Sequence, residues 1–356
     1  MRGFREYAMV VFAFILSFAG CTAVDYGYID YGEGSGVNPD EVGVSLSYSW
    51  PSSAGDGISG VNVLMSRIYN EVHYVWTDES AADVDTVAVL GGDYYAIAFG
   101  WNNEDYKAIG IEGFRDDASM GMRTVCAGIP EMTKDEIAAE YGKDVNDFNP
   151  SLPYIRQAGS LWMGAVKFSA LSSEGQKNLD FRMEDLTMTV HLSMKVRTED
   201  NVEVERLSGD LAGTPCRISL MSGIVPPDNS GKVLFEFSKS GQSGNMTVYE
   251  ASVKVLGLLA PENSTLKTGP GILRITLIAK SGENQRVFYA GINLKNEIEN
   301  AKVMLLSPDK SGFRKNLSEA YINVGSELKI GKVQIETGGS EAVGGWFENQ
   351  DINVDL

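Results

Sequence analysis

Histidine is nearly absent from this chain and cysteine is scarce, with two of the first and three of the second in 356 residues. His73 and His191 form no i, i+4 pair, and no Cys/His set has the spacing of a zinc site. A Ser-His-Asp set would have to be assembled from distant residues, and no nucleophile-elbow pattern marks one. Basic residues are also in deficit, 30 against 48 acidic, for a net charge of −18. That balance argues against nucleic acid as a partner and against broad electrostatic adhesion to anionic lipid. Beyond the N-terminal segment no run is long and apolar enough to cross a membrane as a helix. No repeat of the solenoid kind is evident.

The acidic residues offer no catalytic pattern. Asp116-Asp117 and Glu184-Asp185 are sequence neighbours, and glycoside hydrolysis needs two carboxylates set across a cleft. Asn102-Asn103-Glu104-Asp105 lacks the glycine and glutamate that complete a calcium loop. The expectation is therefore a protein that is not an enzyme and carries neither cofactor nor metal.

What is present begins at the N-terminus. Arg2 and Arg5 precede an apolar run from Tyr7 to Phe18, about a dozen residues, which suits a secretory signal but is too short to span a ~30 Å hydrocarbon core. The run closes in Phe18-Ala19-Gly20-Cys21, which resembles a bacterial lipobox, where the thiol is acylated and the chain is cut just before it. Residues 1–20 are then signal peptide, and Cys21 is the lipidation site. The alternative is ordinary cleavage near Ala19, with Cys21 incidental. The signal carries two basic residues and one acid, so removing it takes the charge from −18 to −19. Such an acidic body suits solubility at a cell surface, and attachment to the membrane is expected from the acyl chains. Cys126 and Cys216 alone remain, too few for a disulfide framework, and are expected as small buried side chains.

Residues 21–40 (CTAVDYGYIDYGEGSGVNPD) lack an apolar period and read as a lipidated flexible tether. The GEGSG within it follows no strand and opens no helix, so a phosphate loop is not indicated. Alternation then begins. Val42, Val44, Leu46, Tyr48 and Trp50 interleave with Gly43, Ser45, Ser47 and Ser49, giving one apolar face. Further strands are expected in Gly60–Trp76, as two runs split near Asn70-Glu71, and in Val84–Leu90 and Asp93–Trp101. Turn residues separate them at roughly ten-residue intervals, as in a β-sandwich. Glu131–Tyr141 is the best helix, with Thr133 and Glu136 placed for a capping box.

The second half opens on the clearest strand, Leu186 to Val196, in strict alternation with Thr187, Thr189, His191, Ser193 and Lys195; a helix would put those charges into its apolar stripe. His191 is on the polar face and is expected exposed, whereas His73, beside Tyr74 and Trp76, is expected in aromatic packing. Strands follow at Val202–Leu207, Cys216–Met221, Val233–Phe237, Met246–Val255, Ile272–Ile278, Arg286–Ile292, Lys302–Leu306, Glu327–Ile335 and Ile352–Leu356. The polar segment Ser169–Asn178 interrupts the rhythm, and a chain this long exceeds one core. Two sandwiches are expected, 41–176 and 177–356.

Tyr94, Tyr95, Phe99 and Trp101 crowd one strand region, where aromatics either pack a core or stack on sugars and protein partners. Leu90–Gly113 (LGGDYYAIAFGWNNEDYKAIGIEG), through Gly92, Tyr94, Phe99 and Asn102-Asn103, resembles the N-terminal domain of Bacteroidetes lipoproteins of the fimbrillin and fimbrial-anchor superfamily. The strand ending at Trp50 and the strand Ile58–Ser66 are similar to that family as well. So are LSGDLAG (Leu207–Gly213), taken as a glycine-containing turn, and the Trp-bearing tail Gly344–Leu356.

The resemblance implies an all-β fold of two tandem transthyretin-like, Greek-key β-sandwiches behind a lipidated tether. It implies an outer-membrane, surface-facing adhesion protein, a fimbrial anchor or accessory subunit carrying a palmitate-type lipid. Fimbrillin-like subunits would be its partners, through strand addition at Trp346, Ile352, Val354 and Leu356. Related pilins lose their first strand at an arginine; Arg67 is the candidate here, against an ordinary edge arginine. The alternative function is a surface module for glycans, using exposed aromatics.

Overall fold

The computed structural model describes residues 41–54, 58, 60–68, 73–78, 86–101, 110–112, 126–141, 151–171, 175–199, 202–220, 222–281, 284–324, 327–330 and 335–338. Among these, the first half supplies strands β1 (Glu41–Ser49), β2 (Gly60–Arg67), β3 (His73–Asp78), β4 (Thr86–Leu90) and β5 (Gly92–Trp101). The short strands β6 (Gly110–Glu112) and β7 (Cys126–Gly128) precede helix α1 (Lys134–Tyr141), and β8 (Leu161–Ala170), β9 (Lys177–Arg182) and β10 (Glu184–Asp185) follow it.

The strands form a three-stranded sheet in the order β4-β1-β9 facing a five-stranded sheet in the order β10-β8-β5-β2-β3. Val42, Val44, Leu46, Leu179 and Phe181 from the first sheet meet Val61, Val63, Met65, Tyr94 and Phe168 from the second in one buried cluster. The alternation read in β1 causes this arrangement, since every second side chain points to the same face. Each such aliphatic residue withdrawn from water stabilises the fold by about 1.5–3 kcal/mol.

A division of the chain at 176–177 falls just before β9 and β10. Their hydrogen-bonded partners are β1 and β8, so the pairing of the first half runs on to Asp185. The second half begins with β11 (Met188–Thr198), β12 (Glu203–Pro215), β13 (Arg217–Ser219), β14 (Ile224–Val225), β15 (Ser230–Glu236), β16 (Ser238–Ser243) and β17 (Met246–Val255). It continues through β18 (Ile272–Ser281), β19 (Asn284–Asn293), helix α2 (Lys295–Ala301), β20 (Met304–Leu306), β21 (Phe313–Lys315), β22 (Glu319–Asn323), β23 (Glu327–Ile330) and β24 (Ile335–Gly338).

One sheet of this half runs β16-β17-β11-β23-β24, with β22 also on β11, and the other runs β15-β12-β18-β19. Met188, Val190, Leu192, Met194 and Val196 of β11 face the core, opposite Leu207, Leu211, Leu273, Ile275 and Leu277. Leu64, Ile97, Phe99, Leu161 and Met163, on the second face of the first half's larger sheet, belong to the same cluster. The two halves are thus joined by a continuous apolar core, and β7 pairs with β13 across the join.

Three local expectations are corrected. LSGDLAG is no turn: it lies inside β12, paired on one side with β15 and on the other with β18. Its glycines answer packing instead. A side chain on Gly209 would overlap the Phe235 ring, and Gly213, at φ 88°, occupies the register shift between Ala212 and Thr214. Such bulges use glycine because the left-handed region carries no Cβ penalty there.

Lys302–Leu306 does not begin as a strand: Lys302, at φ 49°, ends α2, a helix unforeseen in the sequence, with Ile298 its buried residue. Seven residues give too little period to recognise. Glu327–Ile335 is two strands, β23 and β24, paired antiparallel.

By contrast, α1 starts as expected. Thr133 N donates to Glu136 Oε2 at 2.7 Å and Glu136 N to Thr133 Oγ1 at 3.3 Å, a reciprocal cap. The Glu136 carboxyl is held down at about 2, chiefly by the Thr133 backbone hydrogen bond, then by the Thr133 hydroxyl and Arg156.

Candidate anchoring strand and partner edges

β1 is the first described strand of the chain, and it is the inner strand of its sheet. Glu41 to Ser45 pair antiparallel with Leu90 to Thr86, and Val44 to Ser49 pair parallel with Lys177 to Arg182. Side chains fasten the same seam. Ser47 Oγ donates to Leu179 O at 3.2 Å, Ser49 Oγ meets Asp180 Oδ1 and Oδ2 at 2.9 and 3.1 Å, and Met183 N donates to Ser49 O at 2.9 Å. Gln176 Nε2 reaches Ser45 Oγ and, at 3.4 Å, Thr86 Oγ1. Beneath, Tyr48 stacks on Phe181 with ring centroids 6.0 Å apart and planes 26° from parallel.

Arg67 ends β2, which lies between β3 and β5, so it belongs to an inner strand and is no edge arginine. Its guanidinium donates to Gly91 O and lies where a side chain on Gly92 would stand. Between Arg5 and Arg67 the sequence has no lysine or arginine.

The outer face of the β16–β24 sheet carries a row that crosses three strands. His191 on β11 stands opposite Tyr321 on β22 and Ser252 on β17. The imidazole stacks on the phenol ring at 4.6 Å between centroids, 15° from parallel, and His191 Nδ1 lies 2.9 Å from Ser252 Oγ. His191 is therefore half-buried under a neighbour, where free exposure was expected, while its Nε2 is shielded and has no hydrogen-bond partner. Tyr321 is 73 % exposed, and its hydroxyl donates to Glu319 Oε2 at 3.0 Å. That hydrogen bond and the nearby negative charge raise the phenol above its ordinary range.

Among the described residues β22 pairs with β11 alone, and no strand is hydrogen-bonded along its other edge. A second edge is β20, paired with β21, where Leu305 and Leu306 are both exposed. Nothing in the sequence marked either edge, because β20 and β22 are too short to show a period.

The crowded aromatics divide. Tyr94 and Phe99 are core residues, while Tyr95 is exposed with Lys167 Nζ 5.3 Å from its ring centroid. Glu184-Asp185 is structural, since Asp185 Oδ1 accepts from Thr187 N at 2.8 Å and Thr187 Oγ1 at 2.7 Å. Lys315 Nζ donates to Thr187 O at 2.9 Å, and burial pushes this amine down from its ordinary value. Cys126 and Cys216 are both half-buried. The described residues contain no group of three or more His, Cys, Asp or Glu that would hold a metal ion. Cys21, Asn102, Asn103, Asp116, Asp117, Trp346, Ile352, Val354 and Leu356 lie outside the described residues, as do the side chains of His73 and Trp101.

No protein-family model matches the chain, and no curated protein does. Solved structures give a likeness, and it is to candidate adhesion proteins. One is a candidate adhesin from Bacteroides ovatus, 15% identical with a TM-score of 0.48, covering 80% of this chain and 93% of its own. Another is the fimbrial anchor protein Mfa2 from Porphyromonas gingivalis, 12% identical with a TM-score of 0.40, covering 81% and 90%. A candidate polysaccharide-binding protein from Bacteroides thetaiotaomicron is 12% identical with a TM-score of 0.40, covering 84% and 96%. Likeness at this level assigns neither ligand nor partner.

Proposed function

We propose that this chain is a cell-surface adhesion protein of the outer membrane, a fimbrial anchor or accessory subunit, held by a lipid on Cys21. The observation that carries the reading is the position of β1. The tether runs directly into a strand paired on both sides and buried on one face, so a lipid at Cys21 would be joined to the core itself. With no basic residue between Arg5 and Arg67, a protease specific for arginine or lysine has nowhere to cut β1 from its tether, and the first site after β1, Arg67, is held inside the sheet between β3 and β5 with its guanidinium on Gly91 O. Retention of the first strand suits a subunit that stays at the membrane. A sandwich that keeps its own first strand meets a partner at an open edge, where unpaired N–H and C=O groups accept a further strand. The segment around Trp346, Ile352, Val354 and Leu356 is our candidate for that partner contact.

The test is a pull-down of the lipidated protein from intact cells, with mass spectrometry of its partners and a surface-protease control. Recovery of fimbrillin-like subunits with protease-accessible protein supports the anchor reading. Recovery of glycan-import machinery instead overturns it in favour of the second reading, a glycan-binding module. That reading has one observation of its own, the largely exposed ring of Tyr321 set on His191 among polar neighbours, a surface on which a sugar ring would stack.

A further inference from the structure

We infer that the parallel pair of β1 and β9 is a mechanical clamp, which takes in shear any load passing between the N-terminal attachment and the rest of the molecule. The inference rests on the proposal that the chain is held through its N-terminus, and it concerns what the fold does once it is held there.

The argument is topological. A load applied at the tether enters β1 at Glu41, its N-terminal end. Once the β7–β13 pair and the shared apolar core have parted, a load applied in the second half reaches the first by the one covalent path, through Met183–Thr187 at the C-terminal end of β9. β1 and β9 run parallel and in register from Val44/Lys177 to Ser49/Arg182. Pulling one strand by its N-terminus and the other by its C-terminus slides them past each other along their length. The ladder bonds then share the load and must break together. In an antiparallel pair pulled from adjacent ends, the bonds would open one after another.

Four further features strengthen the same seam. Ser47 and Ser49 reach across to Leu179 O and the Asp180 carboxylate, so sliding breaks side-chain bonds as well as backbone ones. Leu46, Tyr48 and Phe181 interlock beneath it, and displacement along the strand would drag them out of fitted positions. The exit of β9 is stapled: Met183 N donates to Ser49 O at 2.9 Å, β10 pairs with β8, and Leu186 N donates to Leu161 O at 2.8 Å. On its other side β1 is held by β4, so it cannot swing away from β9 to relieve the strain.

The experiment is single-molecule force spectroscopy of the full mature chain in two geometries. In the first, a peptide handle replaces the lipid at the N-terminus and a second handle sits at the C-terminus. In the second, the C-terminal handle is moved into the loop at Gly175, at the N-terminal end of β9, so that β1 and β9 are peeled from one end. Forced rupture reports the unfolding barrier along the pulled direction. The unfolding event of the first half is recognised by its length, on the order of 50 nm of extended chain.

The clamp predicts a severalfold higher rupture force for that event in the first geometry at equal loading rate. It also predicts that Asp180→Ala lowers the force in the first geometry and not in the second, while thermal unfolding of this exposed-site variant hardly moves. Equal forces in the two geometries, or a loss in Asp180→Ala common to both, overturn it. The handles stand in for the lipid, so the force result does not depend on acylation. Metabolic labelling of wild-type cells with a clickable palmitate tests that separately, and an unlabelled Cys21 with a high first-geometry force removes the anchoring proposal while leaving the clamp.

Discussion

The hydroxyl of Tyr154 donates to Asp210 Oδ2 at 3.0 Å, a buried hydrogen bond between the connection that follows α1 and a strand of the second half. The ring of Tyr154 also lies under Lys232 Nζ, 4.0 Å from its centroid, and Lys232 is wholly buried. Met132, Ile137 and Leu234 complete a small cluster around this ring, so α1 and its flanks are seated on the outer face of the β15–β19 sheet.

Replacing Tyr154 by Phe keeps the ring and removes the donor. The buried carboxylate loses one of its partners, and a hydrogen bond to a charged group contributes about 1.5–3 kcal/mol. Urea denaturation should show a lower midpoint with an unchanged slope. A midpoint equal to wild type would mean that the hydroxyl contributes nothing net.

Gly209 faces the ring of Phe235 and has no room for a methyl group. Gly209→Ala should therefore destabilise the second half by about 1–3 kcal/mol through overpacking. Gly241, on β16, has nothing within 4 Å of its missing Cβ, so Gly241→Ala is the control and should be close to neutral. Similar thermal shifts for the two variants would show that contact with Phe235 is not what selects glycine at 209.

Burial pushes the Cys216 thiol up to about 11, with a smaller contribution from the charge of Glu131. At pH 8 roughly a thousandth of it is thiolate, so iodoacetamide should label Cys216 slowly in the native protein and quickly in urea. The sign of the linked stability follows. A raised acid gives stability that is fully present below the unfolded value near 9 and is lost as pH rises through about 11. Mass spectrometry of the labelled peptide over time checks the first statement, and rapid native labelling would contradict it.

Acid acts on the α1 cap in the opposite sense. The Glu136 carboxyl is depressed to about 2 from an ordinary value of 4.5, so its contribution is present above 4.5 and lost as pH falls through about 2. Hydrogen exchange of the α1 amides should accelerate over that window relative to the β11 amides. In Glu136→Gln the acid-dependent part should disappear. Thr133→Ala, which removes the reciprocal partner, should cost about 0.5–2 kcal/mol at neutral pH.

How far the sequence could be read depended on whether the cause was local. The alternation from Met188 to Val196 and from Val42 to Leu46 placed each residue on its face, because side-chain direction in a strand reverses at every step. The Thr133 and Glu136 cap was legible for the same reason: its partners are three residues apart. Local reading failed where glycine was ambiguous. In Leu207–Gly213 a turn and a bulged strand ask for the same residue, and only the neighbours β15 and β18 decide between them. It failed again at α2, where a single buried residue, Ile298, leaves no period.

The candidate site divides along the same line. The sequence by itself determined that β1 is a half-buried strand preceded by a stretch without basic residues, and that the body is acidic and rich in strands. Only the tertiary structure decided that β1 lies between β4 and β9, that Ser49 meets an aspartate 131 residues away, and that among the described residues β22 and β20 each pair with a single strand. Backbone hydrogen bonds are the same for every residue and carry no address. The partner of a strand is therefore set by which faces must be buried together across the whole chain, and no stretch of sequence contains that choice.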